Sequence, residues 1–375
     1  MKQKIFLWIC LSIFSTGFSK EPPKWFQNQT PYAPVSIQVN ALCQKERPQN
    51  LILYIGDGMG ISQITAAMTA NHGRLNLEYF PYIGLSKTHS QDRYITDSAA
   101  SATAIATGIK TYNNGLGVKP DSQSVKTILE LAEEKGLSTG IVVTSSVTHA
   151  TPAAFVSHQV NRALEEEIAL DYFRIPIDVF IGGGMRYFSK RSDGQDLIHS
   201  LKTKGYTVFT SFPEIDSIGA GPLVIFTAEE HDLPAIKRGN RLPKAVRLAL
   251  RILSQNPHGF FLMVEGSQID WGGHDNDATR VIQEMLDFDR AIGEGLRFAE
   301  KNGQTLIVVT ADHETGGMAI EDGLIQEGKV LANFTTKNHT GVMVPVFAIG
   351  PKAEQFIGIY ENTALFEKMK NALGL

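Results

Sequence analysis

Cysteine is almost absent: only Cys10 and Cys43 occur in 375 residues. If the N-terminal segment is removed, Cys43 stands alone and no internal disulfide can form. A four-cysteine zinc site is excluded in either case, so any metal must be held by histidine, carboxylate or hydroxyl groups. Positive charge is not in excess either. The formal net charge is -4, so no basic field marks nucleic acid as a partner, and affinity for a phosphate anion would have to be local. The sequence has no uninterrupted apolar stretch of membrane-spanning length, no internal repeat and no low-complexity segment. With 43% hydrophobic and 20% charged residues the composition is that of an ordinary globular chain, which excludes general disorder.

The first residues have the pattern of an export signal. Lys2 and Lys4 form a positive start, Ile5 to Phe18 is a short apolar run, and Gly17 and Ser19 are small residues before Lys20. A leader over 1–19 is expected, which places the mature protein in the periplasm or outside the cell. Ile9 stands before Cys10 where a lipid-attachment motif needs a small residue. An extended arm over 20–48 should follow, then one catalytic domain over 49–375.

From Leu51 onward, short apolar runs alternate with amphipathic stretches. Strand character marks 51–55, 140–143, 179–181, 223–226, 259–264, 305–310 and 344–349. Short, fully apolar, β-rich runs suit strands covered on both faces. Helical patterns run over 122–135, 241–254 and 277–300. Strand alternating with helix predicts an α/β fold: one large domain with a central, mostly parallel sheet flanked by helices on both faces. The glycine-bearing stretch 315–338 reads as an excursion from that sheet.

In such sheets ligands sit at the carboxyl ends of strands, and the unusual residues lie there. The run 51–55 leads into Gly56-Asp57-Gly58-Met59-Gly60, whose spacing does not fit a dinucleotide-binding turn. A metal-ligating aspartate and a simple capped turn both remain open for it. The run 259–264 leads into Glu265, followed by Asp270 and His274. These last two are spaced i, i+4, so one helical turn would place them on the same face. The run 305–310 leads into Asp312-His313, and ionisable groups at the end of a buried strand need partners. Ser98, in Thr96-Asp97-Ser98-Ala99, falls where a small-residue helix begins, and helix N-termini favour anions. No G-x-S-x-G elbow surrounds any serine, which argues against a serine–histidine–aspartate hydrolase. His149-Ala150-Thr151-Pro152 follows the 140–143 run. Arg162, at the start of a helical pattern, offers a planar fork for phosphate oxygens. Asn338-His339-Thr340 precedes the last strand and also matches a glycosylation sequon, which we take as accidental.

In this order these motifs resemble the alkaline phosphatase family, from about Leu51 to near the C-terminus, and in particular its compact bacterial members, including those of cold-living bacteria. The resemblance implies hydrolysis of small phosphomonoesters by a homodimer, using two zinc ions and a third ion, usually magnesium. One zinc would be held by Asp270, His274 and His339. The second would be held by Asp57, Asp312 and His313, with the Ser98 oxygen on it for part of the cycle. The third ion would take Asp57, Thr151 and Glu265. Ser98 would attack phosphorus, Arg162 would clamp the non-bridging oxygens, and water would hydrolyse the phosphoserine. Two positions depart from the best-known enterobacterial pattern: His149 replaces an aspartate and Trp271 replaces a lysine, both beside the third ion and the phosphate. The rival readings are a phosphodiesterase or sulfatase of the same superfamily, and a metal- or phosphate-binding protein without turnover.

Overall fold

Seven consecutive buried residues, Asn50–Gly56, form the middle of the molecule. Their side chains alternate between two separate cores. Ile52 and Tyr54 enter one, while Leu51, Leu53 and Ile55 enter the other. The same division holds for Leu262 and Val264 against Phe261 and Met263, and for Ile307 and Val309 against Leu306 and Val308. A strand that is apolar at every position can be buried this way only if both faces of its sheet are covered.

The computed structural model describes residues 25–42 and 45–375. The expected leader 1–19 and both cysteines lie outside the described residues. The main sheet has ten strands: β1 (Asn50–Gly56), β2 (Tyr82–Lys87), β3 (Ser138–Ser146), β4 (Val179–Gly183), β5 (Thr207–Phe209), β6 (Leu223–Phe226), β7 (Phe260–Gly266), β8 (Thr305–Thr310), β9 (Val344–Ile349) and β10 (Gly358–Glu361). Their spatial order is β10-β2-β9-β8-β1-β7-β3-β4-β6-β5. Strand β9 is antiparallel to both of its neighbours, and the other pairings in this sheet are parallel. Helices Ile61–Ala70, Arg241–Leu253 and Ala278–Asn302 cover one face. Helices Ser98–Thr107, Ile128–Glu134, Ala150–Val156 and Thr363–Leu373 cover the other.

All seven expected strands are present, and three further ones complete the sheet. Strand β2 carries partly exposed residues and interrupts its apolar run with Gly84, Ser86 and Lys87, so its sequence lacks the buried-strand pattern. Strands β5 and β10 are short and lie at the two edges. The helical pattern over 122–135 is cut to Ile128–Glu134. Thr127 caps this helix through a reciprocal capping box with Glu130, and Ser122 has a φ of 66°, which no helix accepts. The segment 315–338 does leave the main sheet. Met318–Leu324 and Lys329–Phe334 form an antiparallel pair, extended by Trp25–Gln27 of the N-terminal arm.

Gly84 shows why a glycine sits inside a strand here. A Cβ at this position would stand 2.2 Å from the carbonyl oxygen of Phe356, a backbone atom that cannot swing aside. Gly84→Ala should therefore destabilise the fold by about 1–3 kcal/mol. Denaturant unfolding checks this, and an unchanged midpoint would show that the edge of the sheet yields freely.

Candidate active site

Strands β1, β7 and β8 lie side by side in register, with Ile55 beside both Glu265 and Thr310. Their carboxyl ends consequently deliver Asp57, Glu265 and Asp312 to one place. Asp270 arrives from the short helix Gln268–Asp275 that directly follows β7. Gly58 makes the crossing possible. Its φ is +75°, and a side chain there would run into the Asp270 backbone at 2.7 Å. All four carboxylates are buried. Buried negative charges cost several kcal/mol each unless they are neutralised.

Asp270 and His274 do share a helix face, with Oδ2 and Nε2 3.3 Å apart. His339 completes this group, its Nε2 lying 3.1 Å from His274 Nε2 and 3.5 Å from Asp270 Oδ1. A two-residue ladder pairing Glu314 with Thr340 and Thr315 with His339 fixes the loop that carries it. His313 Nε2 lies 3.1 Å from Asp312 Oδ2 and 3.6 Å from Asp57 Oδ1. Ser98 Oγ is 3.3 Å from the same His313 nitrogen. Ligand atoms fall within 4.8 Å of one another in three sets: Asp270, His274 and His339; Asp57, Asp270 and His313; and Asp57, His149 and Glu265.

Ser98 opens the helix Ser98–Thr107, and Asp97 caps it by accepting from the Ala100 amide. The positive helix end is therefore beside the serine. The other Asp97 oxygen accepts from Arg162 Nη1 at 3.2 Å, while Arg162 Nη2 donates to His149 Nε2 at 3.1 Å. An imidazole that accepts at Nε2 must carry its proton on Nδ1, and here that atom is buried without a partner. Arg162 itself lies in a turn, and the helix after it begins only at Glu165. Trp271 packs edge-on against His231 at 4.8 Å between ring centroids and, at 6.2 Å, against His149.

The donor set fits divalent cations. Both Asp57 oxygens, Asp312 Oδ2, Glu265 Oε1 and Thr151 Oγ1 are buried with no hydrogen-bond partner among the described residues. Meanwhile Nδ1 of three of the histidines is occupied: His274 by the Lys337 carbonyl, His339 by the Thr96 carbonyl at 2.9 Å, and His313 by Thr315 Oγ1 at 3.2 Å. Such partners fix the rings and leave Nε2 free to ligate. Oxygen and imidazole donors without thiolate suit zinc, and an oxygen-rich set suits magnesium.

Protonation follows from the same crowding. Burial, then the neighbouring carboxylates, pushes Asp57 well above the usual carboxylate range. Burial pushes Glu265 up to about 8, although the Ser267 hydroxyl, 2.6 Å away, works the other way. Burial also works upward on Asp270 and Asp312, but the histidines beside them hold both below their ordinary values. His274 is raised to about 9, first by its hydrogen bond to Asp270. His339 is lowered to about 4 by burial and then by the charge of His313. His149 is lowered to about 3 by burial, then by Arg162 and His231.

The structure thus brings together every residue expected at the site: Ser98, Arg162, Asp57, Thr151, Glu265, Asp270, His274, Asp312, His313, His339, His149 and Trp271. Several supporting residues have no role assigned to them by the sequence. Thr315 donates to Asp270 and meets His313, Glu314 accepts from Gln63 and Thr340, and His231 Nδ1 accepts from the Ser146 amide. Thr315 and Glu314 adjoin the Asp312-His313 motif, a proximity that could have flagged them. His231 lies far from every motif in the chain.

The metal-free protein should lose stability as pH rises from 6.5 to about 8. Folded Glu265 and folded His274 hold protons there that the unfolded chain, with ordinary values of 4.5 and 6.5, has released or is releasing. His149 and His339, with depressed values, are neutral when folded while the unfolded chain, with ordinary values of 6.5, is still releasing their protons, so they offset part of the loss near pH 6.5 and fade toward pH 8. Thermal melts of chelator-treated protein across this range test the point against cation-loaded protein. A flat or rising melting temperature in the chelated sample contradicts it.

The chain matches the sequence profile of the alkaline phosphatase family over residues 48–333 and 326–375. It is 34% identical over 404 aligned residues to alkaline phosphatase 4 of Bacillus subtilis, covering 85% of this chain and 87% of that one. The structure of alkaline phosphatase from the Antarctic bacterium TAB5 superposes with a TM-score of 0.84 at 44% identity, covering 88% of this chain and 99% of the other. A variant of the TAB5 enzyme with glutamate in place of a histidine carries magnesium in its M3 site. The cold-active alkaline phosphatase of a psychrophilic Shewanella gives a TM-score of 0.79 at 32% identity, covering 86% and 99%. With the family profile running from β1 to the C-terminal helix, this chain belongs to the alkaline phosphatase family and is a phosphoric monoester hydrolase.

Proposed function

We propose that phosphomonoester hydrolysis proceeds here through a phosphoserine on Ser98, at a centre for two zinc ions and a third divalent cation. The observation that carries this reading is the position of Ser98 Oγ, 3.3 Å from His313 Nε2 at the edge of a buried carboxylate cage that lacks neutralising charge. Asp270, His274 and His339 would hold one zinc. Asp57, Asp312 and His313 would hold the other, with Ser98 beside it. Asp57, Thr151 and Glu265 would hold the third ion, with magnesium the expected occupant. The bound cations supply acidification of the serine hydroxyl and neutralisation of charge on the phosphoryl oxygens.

The protein's own groups do the positioning. Asp97 caps the helix that presents Ser98 and also holds the Arg162 guanidinium, which tethers the clamp to the nucleophile. Arg162 Nη2 is aimed by His149 and can turn both forks to the phosphoryl oxygens when substrate enters. Ser98 Oγ forms the new bond to phosphorus as the bond to the leaving alcohol breaks, and the alcohol departs with a proton. Water then attacks phosphorus, the Ser98–phosphorus bond breaks, and inorganic phosphate is released. Ser98, Asp57, Asp312 and His313 are fully buried, whereas His274, His339 and Arg162 are partly exposed. Substrate and water therefore approach from that side. On the same footing, the leader expected over 1–19 and the family resemblance support export and a homodimeric assembly.

His149 is the feature that sets the third site apart. It lies against Asp57 and Glu265, and it would ligate there through Nδ1 by giving up that proton and releasing Arg162 from Nε2. Imidazole favours softer ions than magnesium does, so the third ion here should be less strictly magnesium. Trp271 brings no charge where a lysine would hold product phosphate.

Ser98→Ala should lower kcat by roughly a thousandfold or more while bound zinc, measured by elemental analysis, is retained. Wild-type turnover in that variant removes Ser98 as the nucleophile. Trp271→Lys should tighten inhibition by inorganic phosphate about fivefold, the worth of ~1 kcal/mol from one added charged contact. An unchanged inhibition constant would mean that the indole position does not reach the phosphate.

A further inference from the structure

A second concavity lies outside the catalytic cage, and none of the cage residues lines it. Helix Arg241–Leu253 buries Leu242, Val246, Ala249 and Leu253 and turns Lys244 and Arg247, one helical turn apart, to solvent. Helix Ala278–Asn302 packs against it and presents Gln283, Arg290, Glu294 and Arg297 at spacings of seven, four and three on one stripe. The N-terminal arm from Gln27 to Val35 forms the third wall. Together they enclose about 800 Å³, a volume within the roughly 300–1,000 Å³ typical of small-molecule sites.

The floor and the rim differ in chemistry. Val35, Ala235, Pro243 and Leu286 make the floor apolar, and Lys244, Arg247, Arg290 and Arg297 make the rim cationic. Arg297 is matched by Glu294 at 2.8 Å. Among the described residues, Lys244, Arg247 and Arg290 have no carboxylate within ion-pair distance. Arg290 is nevertheless held in place, with its guanidinium 4.7 Å from the centroid of the Tyr32 ring. Tyr32 is in turn fixed by donating its hydroxyl to Asp289, whose carboxylate also accepts from the Asn76 and Leu77 amides and so faces inward. Three cations without a directly paired carboxylate therefore surround an apolar floor, although Arg290 also lies near enough to the buried Asp287 to act on its charge, in a chain whose net charge is -4. One of them is an arginine whose planar fork stands pre-oriented by an aromatic ring.

We propose that this cleft is a binding site for an amphipathic organic anion. A carboxylate, sulfonate or phosphate head group would meet Lys244, Arg247 and Arg290, and an apolar body would cover Val35, Pro243 and Leu286. Neither part suffices alone. Exposed cations hold a free inorganic anion weakly in water, and the floor by itself does not discriminate between apolar groups. The site is independent of the phosphoserine mechanism, because it shares no residue with it.

The test is a fluorescence titration of the cation-loaded full-length protein with anilinonaphthalene sulfonate, with saturating inorganic phosphate present to occupy the active site. Saturable binding is expected, weakened by added salt. Binding should be at least tenfold weaker in Arg290→Glu and in the double variant Lys244→Glu/Arg247→Glu. Because Lys244 and Arg247 are solvent-exposed, the double variant should melt as the parent does and keep the parent kcat/KM on a phosphomonoester. The proposal is overturned if the double variant binds the probe as tightly as the parent, if phosphate displaces the probe, or if uncharged anilinonaphthalene binds equally well.

Discussion

Four carboxylates, Asp57, Glu265, Asp270 and Asp312, are buried within a few ångströms of one another, and the protein supplies too little positive charge to balance them. His274 and His313, both raised, offset two of them, which is why Asp270 and Asp312 stay ionised while Asp57 and Glu265 are driven toward protonation. Such a cluster is unfavourable for folding by itself. It is a reasonable thing to build only where cations will complete it, and the rest of the architecture around β1, β7 and β8 serves to hold it in place.

That holding is done one shell further out. The Nδ1 atoms of His274, His313 and His339 meet a carbonyl, a threonine hydroxyl and a second carbonyl, so all three rings turn Nε2 toward the carboxylates. Glu314 joins the His339 loop to the helix Ile61–Ala70 through Gln63 and Thr340. Asp97 links the start of the serine helix to Arg162. Ligand geometry is thereby set by groups that are themselves hydrogen-bonded, and an ion-binding site on rigid elements needs this.

The surroundings of Trp271 and His149 differ in kind from the rest of the cage. His149, His231 and Trp271 form a set of mutually edge-on rings, with the Arg280 guanidinium 5.6 Å from the centroid of the indole ring. An aromatic wall here replaces charged contacts with packing. Under the proposed mechanism it would make this edge of the phosphate site less electropositive than a lysine would, and would leave Arg162 as the main cation contributed by the protein itself.

Much of the site could be read in the chain because its signals are local. Carboxylates directly after fully apolar strands, an aspartate and histidine four apart, and an aspartate-capped serine helix all follow from periodicity over a few residues. The seven central strands were readable for the same reason, since a strand buried on both faces must be apolar throughout. Strands β2, β5 and β10 were not, because partly exposed or short edge strands carry no such run. The helix expected from 122 begins only at Ile128, where the Thr127 cap overrides the hydrophobic stripe. His231, Thr315 as a ligand-orienting group and the cationic cleft under the arm depend on residues tens to hundreds of positions apart. Their meeting is decided by sheet order and helix packing, which no local pattern encodes. Side-chain chemistry at each strand end was therefore settled by residue type and spacing, while the convergence of those ends on one cage came from the parallel register of β7, β1 and β8.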